Sequence, residues 1–107
     1  MKWYNYLYIG EKAENNSDKI IEDIKHGKPQ FDKYVLALPF NESDVLDIYP
    51  SNILVQKHFL KSDLVIVGIA DGKKEANNMM QKIIMECFSK TGGFDLRGYI
   101  MAGGVSS

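Results

Sequence analysis

Residues 64–70 read Leu-Val-Ile-Val-Gly-Ile-Ala, and a helical pattern follows them up to Gly92. An unbroken apolar run of this length is typical of a strand that is covered on both faces. The residues after it carry apolar side chains at a spacing of three and four, which predicts one buried helix face. This face consists of Ala76, Met79, Met80, Ile83, Ile84, Cys87 and Phe88. We therefore predict a βα unit over residues 63–92 as the centre of the fold.

The rest of the chain predicts shorter elements on either side of this unit. Aromatic and β-branched residues over 3–9 are typical of a strand, and an apolar stripe predicts a helix at about 17–26. Two strand-like runs that flank turn-forming residues predict a hairpin over 34–49. We expect a short helix over 50–60, and a last short strand or turn of helix over 94–101.

The resulting order of elements, β-α-β-β-α-β-α, predicts one α/β (α+β) domain with a mixed sheet of four or five strands. This order resembles the split-βαβ core of ferredoxin-like domains with an added C-terminal helix. In the plain form of that fold the fourth strand lies at an edge, yet residues 64–70 are apolar on both sides. We therefore expect helices on both faces of the sheet. The domain should span residues 1–101, and residues 102–107 should form a mobile tail.

The composition of the 107-residue chain is that of an ordinary globular protein, with 13 basic and 14 acidic residues. A formal charge of −1 gives no general attraction to phosphate backbones or anionic membranes, so we expect neither nucleic acid nor a membrane as partner. The single cysteine, Cys87, excludes an intramolecular disulfide. Because no signal-peptide pattern and no membrane-spanning apolar run is found, we expect a cytoplasmic location.

Residues 71–74 join the apolar strand to its helix, at a place where many α/β proteins bind phosphate. The glycine spacing of a phosphate-binding loop is absent, however, and Lys74 stands where that loop needs a hydroxyl. A helix cap at Asp71 with solvated lysines is the simpler interpretation. The alternative is a small-molecule or anion site at the ends of strands, to which Gly10 and Glu11 contribute if the strand directions allow it. Its candidate ligand-binding residues are Asn41, Asp71, Gly72 and Lys73.

Alternation along residues 3–9 places the tyrosines on one face of the first strand and Trp3, Leu7 and Ile9 on the other. A tyrosine face can stack nucleobases, but the aromatic and basic signature of RNA-binding sheets is absent. We expect this face to pack under a helix or against another subunit. Met85 is a lone apolar residue on the polar side of the long helix, and it strengthens the case for self-association. The candidate interface residues are Tyr4, Tyr6, Tyr8 and Met85.

The sequence assigns no catalytic residue, no metal and no cofactor. Cys87 lies in the middle of the apolar helix face, where a thiol behaves as a small hydrophobic group. His26 is best explained as a favourable charge at a helix end, and His58 as a packing residue. The spacings typical of zinc sites, serine hydrolases and dinucleotide-binding loops do not occur in the sequence.

These observations favour a small cytoplasmic binding or interaction module that is non-catalytic and homo-oligomeric, most simply a homodimer. The alternative is an enzyme-like α/β domain with a small-molecule or anion site at the strand ends. The layout resembles that of small bacterial proteins, and this resemblance carries no site residue with it.

Overall fold

The computed structural model describes residues 1–38, 46–56 and 62–106. Within these ranges the chain forms five strands and three α-helices. The strands are β1 (Lys2–Ile9), β2 (Lys33–Leu38), β3 (Asp47–Pro50), β4 (Val65–Asp71) and β5 (Val105–Ser106). The α-helices are α1 (Ser17–Lys25), α2 (Lys73–Thr91) and α3 (Leu96–Gly103), and 3-10 helices lie at Glu14–Asn16 and Ser51–Val55. The predicted α/β class with a mixed sheet is confirmed.

The strand β4 lies in the middle of a sheet with the order β3-β2-β4-β1-β5. It runs parallel to β1 and antiparallel to β2, so the sheet is mixed. With a neighbour on either side and helices above and below, residues 65–70 are all buried. A plain split-βαβ sheet has its fourth strand at an edge; the central place of β4 explains why this strand is apolar on both sides.

Helices cover both faces of the sheet, as predicted. On one face Ile20 and Ile24 of α1 pack against alternate residues of the central strands, such as Ile66. On the other face α2 and α3 pack against the intervening residues. This second cluster includes Leu36, Leu38, Val65, Val67, Ala76, Met79, Ile83, Cys87, Leu96 and Ile100. The apolar run of β4 therefore contributes to both cores at once.

The long helix α2 buries most of the face that its spacing predicts, and Cys87 is fully buried there. Phe88 is the exception, because its side chain is 44% exposed. The helix ends at Gly92, whose φ of 77° is in the left-handed region that favours glycine. Among the described residues no helix has the length and apolar character needed to cross a membrane.

The C-terminal segment and the hairpin differ in part from the expectation. Residues 96–103 form a helix, and residues 105–106, which lie in the predicted mobile tail, pair as β5 with Trp3 and Tyr4. The two hairpin strands are present as β2 and β3. The predicted turn between them lies outside the described residues, and so does His58. Of the helix expected over 50–60, the structure describes the 3-10 helix Ser51–Val55.

Candidate functional site

The carboxyl ends of β1 and β4 lie side by side because these two strands are parallel neighbours. The backbone N–H of Gly10, just after β1, donates to the carbonyl of Ile69 at 3.0 Å. After β1 the chain continues to α1 on one face of the sheet, and after β4 it continues to α2 on the other face. A crevice of this kind is where ligands of open α/β sheets commonly bind. The structure thus brings residues 10–11 and 71–73 together at one edge of the sheet.

The third proposed contributor to this site, Asn41, lies outside the described residues. The strand that precedes it, β2, is antiparallel to β4, and its last residue Leu38 pairs with Val65 at the beginning of β4. The described part of β2 therefore ends at the edge opposite to the crevice.

The crevice is occupied by the protein's own Glu75. Its carboxylate accepts hydrogen bonds from the backbone N–H of Lys12 at 2.7 Å, of Ala13 at 3.3 Å and of Asp71 at 3.0 Å. A Cβ on Gly10 would lie 1.9 Å from Oε1 of this carboxylate, so a larger residue there would displace Glu75 from its present position. Three amides that could hold an external anion, those of Lys12, Ala13 and Asp71, are thus already bonded.

Sequence reasoning missed this role of Glu75, although a signal for it exists. A glutamate at the third position of a helix often reaches back to a free amide before the helix. The residue that caps α2 is Gly72, and it makes no side-chain cap. The predicted cap at Asp71 is therefore wrong, because the Asp71 carboxylate lies 3.1 Å from the ammonium of Lys33 instead. Lys73 is exposed at the first position of α2.

The charges around the crevice balance. Two adjoining hollows of about 260 and 290 Å³ lie beside it. Their charged lining residues are Lys12, Lys74, Lys82, Glu11, Glu14 and Glu75. Three positive and three negative side chains leave no net field that would concentrate an anion.

A second concave site lies between β1, α2 and α3, and we call it the tyrosine groove. It has a volume of about 470 Å³. Its lining residues are Tyr4, Tyr6, Tyr8, Glu86, Lys90, Tyr99, Ala102 and Gly103. All three tyrosines predicted to share one face of the first strand therefore meet here, and α2 and α3 add an acid, a base and a fourth phenol.

The tyrosines of β1 occupy three depths in this groove. Tyr4 is buried, with 6% of its surface exposed, and Tyr8 stacks on it with ring centroids 5.8 Å apart. Tyr6 meets Tyr4 edge to face at 5.8 Å and is itself 70% exposed at the rim. A Cβ on Gly103 would lie 2.7 Å from the Tyr4 ring, so this glycine lets α3 approach β1 closely.

The polar groups of the tyrosine groove are mostly paired with each other. The hydroxyl of Tyr8 donates to one carboxylate oxygen of Glu86, and the ammonium of Lys90 lies 3.4 Å from the other. Burial, followed by the hydrogen bond to Glu86, raises the pKa of Tyr8. Neighbouring Tyr99 and the Glu86 carboxylate raise the pKa of Lys90. Near neutral pH the groove thus contains a protonated Tyr8 and a charged Lys90.

The phenol of Tyr4 is the most buried of those in the groove. Burial, together with the nearby Tyr99 and Glu86, raises the pKa of this phenol, so it stays protonated. Its side chain is 6% exposed and is among those that line the groove. The hydroxyl lies where Gly103 borders the groove, within 2.8 Å of the position that a Cβ there would take.

Met85, the fourth predicted interface residue, does not join the tyrosines. It is 61% exposed and borders a separate hollow with Asn78, Gln81 and Lys82. Farther along the chain, Phe88 and Phe94 stack with their ring centroids 5.0 Å apart while both remain largely exposed. The sequence pattern assigned Phe88 to the buried face, and it did not identify this aromatic pair.

Cys87 and His26, which lie outside these two sites, contact nearby backbone carbonyls. Cys87 is buried, and its thiol lies 3.6 Å from the carbonyl of Gly93. The His26 ring contacts the carbonyl of Glu22 at 2.8 Å, at the end of α1. No three His, Cys, Asp or Glu side chains in the described ranges come together in a way that could hold a metal ion.

Comparisons with protein-family models, with curated proteins and with solved structures found no match to this chain. The assignment of a function therefore rests on the geometry of the two sites described above.

Proposed function

We propose that this chain is a non-catalytic binding module and that the tyrosine groove is its binding site. The observation that carries the proposal is that one concave site gathers four phenols and the Glu86–Lys90 ion pair. A ligand in this groove can bond to these polar groups and pack on the tyrosine rings, so the groove is suited to binding.

The size and the lining of the groove support the same proposal. Its volume of about 470 Å³ falls in the range of about 300–1,000 Å³ that small-molecule pockets occupy. Aromatic walls with a few polar groups are typical of such pockets. Glu86 is already bonded to Tyr8 and Lys90, which leaves it poorly placed to act as a base. These features favour binding over catalysis.

A compound screen with a blocked groove tests this function. Ala102→Trp places a bulky side chain in the groove, whereas Gln81→Trp places the same side chain on the exposed face of α2. We expect some compounds to raise the melting temperature of the wild type and of Gln81→Trp, but not that of Ala102→Trp. Hits that stabilise Ala102→Trp equally, or no hit with any compound, would contradict the proposal.

We also propose that the module works in the cytoplasm as a homo-oligomer, most simply a dimer. Within the described residues, the outer side of β1 contacts the C-terminal segment at Trp3 and Tyr4, which pair with β5, and at Asn5, whose N–H donates to Gly104. Residues 3–9 carry no charge, and Tyr6 among them is 70% exposed. Natural edge strands usually carry charges that prevent pairing with another chain. A second copy of β1 across a two-fold axis would cover this edge.

Light scattering tests the oligomeric state, with two charged variants to locate the interface. We expect the wild type to be a dimer at micromolar concentration and Tyr6→Lys to be a monomer. Phe31→Lys, which changes an exposed aromatic residue away from β1, should remain a dimer. A monomeric wild type would refute self-association, and dissociation by Phe31→Lys alone would place the interface elsewhere. Cell fractionation checks the cytoplasmic location.

The crevice at the strand ends is the second candidate site, because the loops after β1 and β4 do meet there. Its test is a titration with inorganic phosphate. Stabilisation of the fold by phosphate that is lost in Lys74→Ala would support an anion site. We expect no such stabilisation, since Glu75 already accepts from the amides of Lys12, Ala13 and Asp71 and its carboxylate would repel an anion.

A further inference from the structure

We infer that the tyrosine groove takes an uncharged ring molecule that carries several hydroxyl groups, that is, a ligand of the carbohydrate class. This inference rests on the proposed binding function of the groove. It adds the chemical class of the ligand that the groove binds.

The charges in the groove argue against an ionic ligand. Glu86 and Lys90 are the charged residues among those that line it, and they lie 3.4 Å apart. A cation would meet the Lys90 ammonium and an anion would meet the Glu86 carboxylate. Because these two charges neutralise each other, an uncharged ligand avoids the repulsion that either ion would experience.

The hydrogen-bonding groups of the groove match hydroxyl groups in particular. An ammonium only donates, a carboxylate only accepts, and a phenol hydroxyl does both. The groove offers all three kinds of group: the Lys90 ammonium, the Glu86 carboxylate and several phenols, of which Tyr4 is one. Two neighbouring hydroxyls on a ring can donate to the carboxylate and accept from the ammonium at the same time. A third oxygen of the ring can accept from Tyr4.

The arrangement of the aromatic rings favours a saturated ring over a flat base. One face of Tyr4 is covered by the stacked Tyr8, and Tyr6 already contacts it edge to face. The groove therefore offers no open slot between two parallel rings for a nucleobase. Tyr6 is exposed at the rim, and its ring face can pack against the C–H groups of a sugar ring.

Ligand-observed NMR with probes of defined charge tests the inference. The panel contains neutral sugars (glucose, galactose, mannose and N-acetylglucosamine), nucleosides (adenosine and uridine), choline and inorganic phosphate. We expect at least one neutral sugar to bind the wild type, and we expect neither choline nor phosphate to displace it. Tyr4→Phe removes only the hydroxyl and should weaken sugar binding about tenfold. Tyr49→Phe removes a phenol hydroxyl at the far edge of the sheet and should leave the affinity unchanged.

The possible outcomes separate this inference from the proposed function. If only nucleosides, choline or phosphate bind, and Ala102→Trp abolishes that binding, the groove is a binding site but the ligand class is wrong. If no sugar binds the wild type, the inference fails, and the broader screen with Ala102→Trp still decides the function. Equal sugar affinity of Tyr4→Phe and wild type would also overturn the inference, provided that thermal unfolding shows Tyr4→Phe to be folded.

Discussion

At the scale of single residues, the position of the Glu75 carboxylate depends on the absence of a side chain at Gly10. The carboxylate bonds to three backbone amides from two different loops, and this is possible because Gly10 has no side chain in its way. Hydrogen bonds to a charged acceptor are stronger than neutral ones. The pair therefore fixes the loop after β1 against the beginning of α2.

Loss of the Glu75 carboxylate should lower the stability markedly. Hydrogen bonds to charged groups contribute about 1.5–3 kcal/mol each, but the bond to the Lys12 amide is exposed, and water can replace the lost acceptor in the variant. We therefore expect Glu75→Ala to reduce the free energy of unfolding by only about 2 kcal/mol. Glu11→Ala removes an exposed carboxylate from the same loop and should change the stability by less than about 0.5 kcal/mol. Denaturant unfolding measures both. Equal effects of the two variants would show that Glu75 does not hold the loops together.

Two partly buried phenols should make the fold sensitive to alkaline pH. Burial and the hydrogen bond to Asp47 raise the pKa of Tyr49 to about 12, and the pKa of Tyr8 is also raised. The folded state thus holds these protons more tightly than the unfolded state, whose phenols titrate at about pH 10. The contribution of these phenols to stability should be constant below pH 10 and should fall as the pH rises from 10 toward 12.

Unfolding by denaturant at a series of pH values checks this expectation. Tyr49→Phe should show a smaller loss of stability above pH 10 than the wild type. Tyr6→Phe changes an exposed tyrosine and should lose stability as the wild type does. A pH dependence that Tyr49→Phe leaves unaltered would mean that this phenol is not linked to folding.

At the scale of elements, the contact between β1 and β4 depends on Gly68. The register between these strands shifts between Trp3 and Tyr8, and Tyr8 lies opposite Gly68. A Cβ at Gly68 would lie 3.1 Å from the Tyr8 carbonyl oxygen and 3.2 Å from the Met79 side chain. The backbone of β1 and the helix α2 thus both approach β4 at this one position.

Gly68→Ala should therefore destabilise the fold by about 1–2 kcal/mol, because an added methyl group overpacks the core. Gly93→Ala is the matched control, since nothing lies within 4 Å of a Cβ there. That variant should be neutral or slightly stabilising. Thermal unfolding of the two variants measures the difference. A neutral Gly68→Ala would show that β1 and α2 can shift to make room.

At the scale of the whole molecule, two cores share one sheet. Trp3, the only tryptophan, packs on the side of α1, whereas α2 lies on the opposite face. With 19 residues, α2 is longer than α1 and α3 together, which have 9 and 8. The fluorescence of Trp3 and the helical circular dichroism signal therefore report mainly on different faces of the sheet.

These two signals should follow one unfolding transition. Because β4 contributes side chains to both cores, neither core can come apart alone without exposing the other. Small single domains usually unfold in one cooperative step. We expect identical midpoints in denaturant for fluorescence and circular dichroism. Midpoints that differ would mean that the two faces of the sheet unfold separately.

The two sites could be predicted from the sequence only in part. Alternation along β1 placed Tyr4, Tyr6 and Tyr8 together, and the three line one groove. The pattern could not reveal that Glu86 of α2 bonds to Tyr8, since the two residues are 78 positions apart. It also grouped Met85 with the tyrosines, whereas the structure puts Met85 at another hollow.

The sequence by itself determined the elements whose signals are local: the strand over 3–9, the helix that buries Cys87, and the apolar strand at the centre. Periodicity and turn-forming residues act within a few positions, so they can be identified without the fold. Only the tertiary structure decided the strand order, the pairing of residues 105–106 with β1, and the partners of Glu75. These depend on which distant backbone and side-chain groups meet, and the packing of both faces onto β4 decides that.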